Sequence, residues 1–183
     1  MLLALVGVTG VGKTYYKNKI AEELSFKNVH TIRTRKKREG EVAGKTGLFM
    51  TEEEVDKLDS EGKIAYKFKV FGGEYAYLSE EIFSEDNMVF EMHYTTIYDW
   101  KKIRPDIKTI YILPKDIEIA KEMTRERDLE PEKEKERLLE IDEHYNRIMN
   151  DEDLRSQFDY IVYNNYDENS DEEIINLVKK IMK

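Results

Sequence analysis

The chain contains no cysteine, and it has only three histidines among its 183 residues. Without cysteine it forms no disulfide bond, holds no metal through thiolates and uses no thiol nucleophile. The three histidines, His30, His93 and His144, are widely spaced, which argues against a metal site built from imidazoles. Functions that depend on cysteine or on clustered histidine are therefore set aside.

Long apolar runs are missing as well. No stretch reaches the ~20 residues that a membrane span requires, and residues 1–6 are too few for the apolar core of a secretion signal. We therefore expect a cytoplasmic protein that does not enter a membrane. With 40% apolar and 38% charged residues, the composition is typical of a globular chain of one domain.

Excess positive charge is also lacking, since the formal net charge is −9. A general nucleic-acid binder needs surplus lysine and arginine to hold the phosphate backbone, so we expect no nucleic-acid partner. One segment departs from this balance. Residues 33–38, RTRKKR, carry five basic side chains in six positions.

What the sequence does contain is an alternation of strand-like and helix-like segments. Apolar or alternating runs predict strands at residues 1–8, 28–32, 63–71, 72–79, 87–92, 107–113 and 158–165. Helical spacing predicts helices at residues 13–24, 51–62, 116–150 with a break near 125–134, and 170–183. Thr51 with Glu54, and Ser170 with Glu173, are capping signals for two of them. This alternation predicts an α/β domain with a parallel sheet.

The first strand and the first helix are joined by a glycine-rich turn, VGVTGVGKTY at residues 6–15. It fills the Walker A pattern G-x-x-x-x-G-K-[ST] in the strand–turn–helix context that a phosphate-binding loop (P-loop) requires. In such a loop Lys13 reaches the β and γ phosphates, and Thr14 offers a hydroxyl to Mg²⁺. The turn therefore predicts ATP binding through Gly10, Val11, Gly12, Lys13 and Thr14. The alternative is an ordinary glycine-rich turn that closes a strand.

The basic run suits a second anion. Two phosphate charges brought within 4 Å repel by ~4 kcal/mol at an effective dielectric constant of 20. Guanidinium groups placed after the second strand would offset this repulsion at the end of the sheet where α/β folds bind ligands. The alternative is a solvated basic loop or a weak nucleic-acid patch.

A third cationic set surrounds the break in the long charged helical segment, and it consists of Arg125, Arg127 and Arg137. A broken helical pair is typical of a lid that closes over a transferring phosphoryl group and excludes water. The alternative is that these arginines face solvent and pair with neighbouring acids.

In order and spacing these motifs resemble the guanylate kinase family over nearly the whole chain. The similar segments are GVTGVGKT at 7–14, TRKKREGEVAG at 34–44, FGGEYAY at 71–77, VFEM at 89–92, IYILP at 110–114 and DYIVYNN at 159–165. The resemblance implies a three-layer α/β P-loop kinase in a single domain, 1–183. Its expected parts are a core (1–32, 87–123 and 138–183), an inserted acceptor-binding subdomain (33–86) and a helical lid (124–137).

The resemblance also implies ligands and residue roles. We expect ATP and Mg²⁺ as cofactors, small nucleotides as partners, and a monomer or homodimer. The residues expected to hold the acceptor phosphate are Arg35, Arg38 and Tyr75. Those expected to act on the transferring phosphoryl group are Lys13, Arg125, Arg127 and Arg137. Thr14 is expected to bind the metal, and Asn164 to lie near the adenine of ATP.

Several positions depart from the family pattern where it recognises the acceptor. Gly47 stands in place of a tyrosine on the acceptor phosphate, and Tyr66 in place of a glutamate on the guanine edge. Tyr77 replaces a threonine or serine that touches guanine, and His93 replaces an aspartate, while Glu91 keeps a carboxylate two residues earlier. Losing such polar partners weakens discrimination between bases. Tyr66 and Tyr77 either stack on the acceptor's base or pack inside the subdomain.

Three functions fit the sequence. The first is a nucleoside monophosphate kinase that passes the γ-phosphoryl of ATP to GMP or dGMP, without a general base because the acceptor phosphate is already an anionic nucleophile. The second is the same scaffold acting on another nucleotide or a phosphorylated sugar. The third is a non-catalytic binding module, against which intact Lys13 and Thr14 argue. For a hydroxyl acceptor Glu91 is the candidate base; otherwise we expect it to contact water molecules on Mg²⁺.

Overall fold

Two β-sheets organise the chain, and the larger one carries the glycine-rich turn. The computed structural model describes residues 1–37, 41–44, 47–70, 72–127 and 129–183. The larger sheet contains β1 (Leu2–Gly7), β2 (Lys27–Asn28), β7 (Met88–Glu91), β8 (Lys108–Pro114) and β9 (Tyr160–Asn164). Neighbouring strands are all parallel, in the order β2-β7-β1-β8-β9. The predicted α/β class with a parallel core sheet is confirmed.

The smaller sheet is inserted between β2 and β7. It contains β3 (Thr31–Arg33), β4 (Leu48–Phe49), β5 (Ile64–Val70) and β6 (Gly73–Leu78), in the order β4-β3-β6-β5. One of its faces packs on α2 (Glu52–Ser60), where Ile32, Val55 and Ala76 form a small buried cluster. The other face turns toward the larger sheet, because Tyr77 belongs to the main hydrophobic core.

Helices cover the larger sheet on both faces and complete three layers. On one face lie α1 (Lys13–Leu24), α5 (Ile117–Arg125) and α8 (Glu168–Ile181). On the other face lie α3 (Ser79–Ile82), α4 (Ile97–Ile103), α7 (Glu152–Arg155) and the smaller sheet, while α6 (Pro131–Asn150) contributes to both cores. β1 is buried throughout because its alternate residues enter opposite cores, as expected of a parallel strand covered twice.

Two predicted elements differ from the structure. The run at 28–32 forms two strands, because β2 pairs with β7 while β3 crosses to the smaller sheet and pairs with β6. The last helix begins at Glu168, because the Asp167 carboxylate accepts the Ser170 N–H at 2.9 Å and caps the helix. Ser170 therefore lies in the first turn and is not the cap. The predicted break in the long helical segment is confirmed, between Arg125 and Pro131.

The capping box predicted for α2 is present. The Thr51 hydroxyl accepts the Glu54 N–H at 3.2 Å, and the Glu54 carboxylate accepts the Thr51 N–H at 2.8 Å. Within the described part of the chain, no helix combines the length and the apolar character that crossing a bilayer requires.

We expect Thr51→Ala to lower the free energy of unfolding by about 1 kcal/mol, because it removes an N-cap acceptor. Urea unfolding followed by circular dichroism measures the change. Thr51→Ser keeps the hydroxyl and is the matched control, with stability close to the parent protein. Equal stability of the Ala and Ser variants would contradict the role given to the box.

Candidate active site

The glycine-rich turn links the end of β1 directly to the start of α1. Gly12 is the N-cap of α1, and no side chain caps the helix. The first-turn N–H groups are therefore available to an anion, and the first turn contains no acidic residue that would repel one. This arrangement is that of the predicted phosphate-binding loop.

Glycine is required inside this loop by the close approach of α5. A Cβ at Gly10 would lie 2.1 Å from the Ala120 carbonyl oxygen, and the φ of Gly10 is +84°. Any larger residue would therefore both strain the backbone and push α5 away. The contact fixes the loop against the helix that leads to the arginine-rich break.

Asn164, at the end of β9, is hydrogen-bonded to the glycine-rich loop. Its side-chain amide donates to the Val11 carbonyl at 3.1 Å, and its oxygen accepts from the Tyr16 hydroxyl at 2.9 Å and the Tyr166 N–H at 2.7 Å. The residue is only 3% exposed. Asn164 therefore holds the loop through buried hydrogen bonds, and its expected position near adenine stays a prediction.

Tyr16 and Tyr166 were not identified from the sequence. Tyr16 could have been found, because it stands at an apolar position of α1 one turn after the loop, and such a position predicts burial. In the structure its ring is fully buried. Tyr166 carries no comparable signal. It adopts a positive φ of 61° and directs its hydroxyl to the Gly10 carbonyl at 3.4 Å.

The Lys13 ammonium group folds back onto the loop. It donates to the carbonyl oxygens of Gly7 at 2.9 Å and Val8 at 2.8 Å. Desolvation lowers the pKa of Lys13 to about 8; the nearby Glu91 carboxylate raises it, and the charges of Arg127 and Arg137 lower it further. The charges of both arginines therefore act on the Lys13 ammonium group.

The predicted cationic set is thus brought together in part. Arg137 is largely buried on α6, where Glu140 accepts its guanidinium N–H at 2.7 Å, and Arg127 follows α5 on the exposed side. Arg125 ends α5 with its side chain exposed. Of the three arginines, Arg127 and Arg137 therefore influence Lys13 electrostatically, and Arg137 is itself paired with Glu140.

Glu91, at the end of β7, lies beside the loop. Its carboxylate accepts the Thr14 hydroxyl at 2.9 Å and forms an ion pair with Lys17 at 3.1 Å. Desolvation would raise the pKa of Glu91, but the charges of Lys17 and Lys13 and the Thr14 hydrogen bond lower it below its usual value. A hydroxyl and an ionised carboxylate are the oxygen donors that Mg²⁺ prefers, so the residues present fit that ion.

On the smaller sheet, Arg35 and Tyr75, both expected to hold the acceptor phosphate, lie next to each other. The Tyr75 hydroxyl accepts from Arg35 Nε at 3.3 Å. The rest of the guanidinium fork is held by Glu41, at 2.8 and 2.6 Å. Glu41 occupies the fork with two carboxylate oxygens in the manner that a phosphate would use. Arg38 lies outside the described residues.

Aromatic packing occupies the positions expected to read guanine. Tyr77 is 2% exposed, and its hydroxyl donates to the Glu91 carbonyl at 3.3 Å. Tyr66 packs edge-on against Trp100 and donates to Asp99 at 2.9 Å. Phe68 stacks between them, with ring centroids 5.7 Å from Tyr66 and 6.5 Å from Tyr77. Of the two alternatives left open for these tyrosines, their contacts in the structure are those of packing inside the subdomain.

His93 lies at the edge of this aromatic group. Its Nδ1 is 2.7 Å from the Thr95 hydroxyl, and its ring is 6.5 Å from Phe68. Desolvation and the positive charges of Lys13 and Arg137 lower its pKa to about 4. His93 is therefore neutral at physiological pH and cannot replace the charge of an aspartate.

A glycine-rich loop at a strand–helix junction, with Lys13 folded onto its carbonyls and Glu91 beside Thr14, defines a nucleotide-binding protein of the P-loop class. Comparisons with known proteins identify the family within this class. The family model described as Guanylate kinase matches residues 1–183. The chain belongs to the guanylate kinase family.

Individual relatives agree over most of their length. A guanylate kinase of Wolbachia pipientis wMel is 28% identical, over 98% of this chain and 90% of the relative. One from Streptococcus thermophilus is 26% identical, over 90% of this chain and 78% of the relative. The crystal structure of guanylate kinase from Anaplasma phagocytophilum superposes with a TM-score of 0.70 at 21% identity, covering 100% of this chain and 84% of that one.

A shikimate kinase structure from Bacteroides thetaiotaomicron also matches, with a TM-score of 0.52 at 14% identity over 100% of this chain and 98% of that one. At these identities the two structures show the shared fold alone.

We expect ATP affinity to fall as the pH rises above about 8, by up to about tenfold per pH unit. The unliganded protein loses the Lys13 proton in that range, and phosphate binding requires the proton to return. Calorimetry between pH 7 and 9.5, in two buffers of different ionisation enthalpy, measures affinity and proton uptake together. Lys13→Met should abolish the uptake, and Lys19→Met on the same helix should leave it intact. Constant affinity over this range would contradict the assignment.

We expect Asn164→Ala to lower the free energy of unfolding by about 1–3 kcal/mol and to weaken ATP binding, because the Val11 carbonyl and the Tyr16 hydroxyl lose their buried partner. The neighbouring, exposed Asn165→Ala is the matched control. Thermal unfolding and ATP titration measure both effects. If Asn164→Ala weakened ATP binding without loss of stability, a direct contact with ATP would explain the result better.

Proposed function

We propose that this kinase transfers the γ-phosphoryl group of ATP to the phosphate of GMP or dGMP, with Mg²⁺ bound beside the loop. One observation carries the proposal: Glu91 connects the two halves of the site. Its carboxylate holds Thr14 of the phosphate loop, and its carbonyl accepts from Tyr77 of the smaller sheet. The donor loop and the sheet with Arg35 and Tyr75 therefore meet at one residue.

The chemistry requires alignment more than acid–base catalysis. An oxygen of the acceptor phosphate attacks the γ-phosphorus, the bond from that phosphorus to the β–γ bridging oxygen breaks, and ADP and a nucleoside diphosphate leave. Lys13, Arg127 and Arg137 offset the charge that accumulates on the transferring group. Mg²⁺, held through Thr14 with Glu91 beside it, would neutralise phosphate charge when bound.

The state of Glu91 favours a phosphate acceptor over a hydroxyl acceptor. A general base works best when its pKa lies near the operating pH. The pKa of Glu91 is instead below its usual value, and its carboxylate is already engaged by Thr14 and Lys17. An acceptor that needs no deprotonation suits this site.

A second candidate is a kinase of the same mechanism with a different acceptor nucleotide. The packed rings of Tyr66, Phe68 and Tyr77 favour it, because guanine recognition through buried hydrogen bonds has no carboxylate at these positions. Without a carboxylate to read the guanine edge, a site discriminates less between bases, so this candidate predicts relaxed selectivity.

Incubation with ATP, Mg²⁺ and a panel of monophosphates (GMP, dGMP, AMP, CMP, UMP and dTMP), with ADP release as the readout, separates the candidates. A kcat/KM for GMP or dGMP well above the others supports the proposal, and comparable values across the panel support the second candidate. Lys13→Ala should lower kcat/KM by about 100- to 1,000-fold, while Lys19→Ala should not. ADP release that no monophosphate stimulates would overturn both.

A further inference from the structure

A row of side chains crosses the smaller sheet on the face turned toward the core. Arg33 of β3 is in register with Phe49 of β4 on one side and with Tyr75 of β6 on the other. Tyr75 is in register with Phe68 of β5. Residues in register lie on the same face of a sheet, so Arg33 lies next to Tyr75. Its neighbour Ile32 is buried on the opposite face, against α2.

The Arg33 guanidinium fills the space that Gly47 leaves open. A Cβ built at Gly47 would lie 1.9 Å from Arg33 Nη1 and 2.8 Å from the Thr31 carbonyl oxygen, and the φ of Gly47 is +154°. A side chain at position 47 is therefore excluded by the arginine, by the backbone of β3 and by its own conformation. The space beside Gly47 is therefore occupied by the Arg33 side chain of the neighbouring strand β3.

Two guanidinium groups lie beside one aromatic ring of the smaller sheet. The guanidinium carbons of Arg33 and Arg35 lie 6.0 and 5.8 Å from the centroid of the same Phe49 ring. Glu41 pairs with Arg35, at 2.6 Å. A phosphate bound beside this ring could therefore accept from two guanidinium groups, each a forked donor that matches phosphate oxygens.

We propose that Arg33 is a ligand of the acceptor phosphate and takes the place of the side chain that Gly47 lacks. The inference rests on the proposed function, because it assigns one of the contacts by which a monophosphate is held. Arg33, Arg35 and Tyr75 then form a continuous phosphate-binding surface on one face of the smaller sheet. A guanidinium binds phosphate through a charged, forked donor, so the exchange strengthens the charge on this side of the site.

Arg33→Gln tests the assignment through the difference between the two substrates. Loss of a charged hydrogen-bond partner should raise the KM for the acceptor monophosphate by about 10- to 100-fold. The KM for ATP should change little, because the donor lies on the other sheet. Lys69→Gln is the matched control. Lys69 is an exposed residue of β5 that follows Phe68, and its substitution should leave both KM values unchanged.

Binding measurements separate phosphate recognition from a structural role. In calorimetry, Arg33→Gln should weaken GMP binding and leave guanosine binding unchanged. Arg33→Lys keeps a charge without the fork and should give an intermediate loss. Urea unfolding shows whether each variant is folded, and Arg33→Lys carries the test if the Gln variant is not.

The outcomes are distinct from those for the proposed function. An acceptor KM within about twofold of the parent value, or equal losses of GMP and guanosine binding, would overturn the role of Arg33. Failure of the parent protein to phosphorylate any monophosphate would overturn the proposed function instead. In that case the comparison of GMP with guanosine still decides whether Arg33 recognises phosphate.

Discussion

The contacts of Glu91 are the constraint on which the active site depends. The residue ends β7, next to β1 in the larger sheet, and its carboxylate holds Thr14 and Lys17 of the first helix. Its backbone carbonyl accepts from Tyr77 of the smaller sheet. One residue therefore contacts both the glycine-rich loop and the smaller sheet. Because both contacts belong to the same residue, the two halves cannot separate at this point without breaking a hydrogen bond.

The positively charged side chains of the site are hydrogen-bonded within the protein. Lys13 is desolvated enough to lower its pKa to about 8, and it satisfies its ammonium group with loop carbonyls. Arg35 is similarly held by Glu41. In both halves, the groups expected to meet phosphate are partnered by oxygen atoms of the protein itself. Before phosphate binds, these pairings avoid the cost of leaving a charge unpaired in a low-dielectric site.

Much of this fold could be predicted from local sequence. The apolar run of β1, the glycine-rich turn and the spacing of α1 gave the strand–loop–helix unit, because hydrophobic periodicity and φ requirements act over a few residues. The capping box at Thr51 was predictable for the same reason. The division of residues 28–32 between two sheets was not, since pairing partners far along the chain decide which sheet a short strand joins.

Within the site, the sequence by itself determined the phosphate loop and the chemical types of the residues that surround it, because these follow from short motifs. Only the tertiary structure decided which groups those side chains contact and which of them are buried. In the structure Asn164 is hydrogen-bonded to the loop, Tyr77 is buried in the core, and Arg33 occupies the space beside Gly47. The reason is physical: burial, register across strands and the filling of space depend on residues distant in sequence, and no local pattern records them.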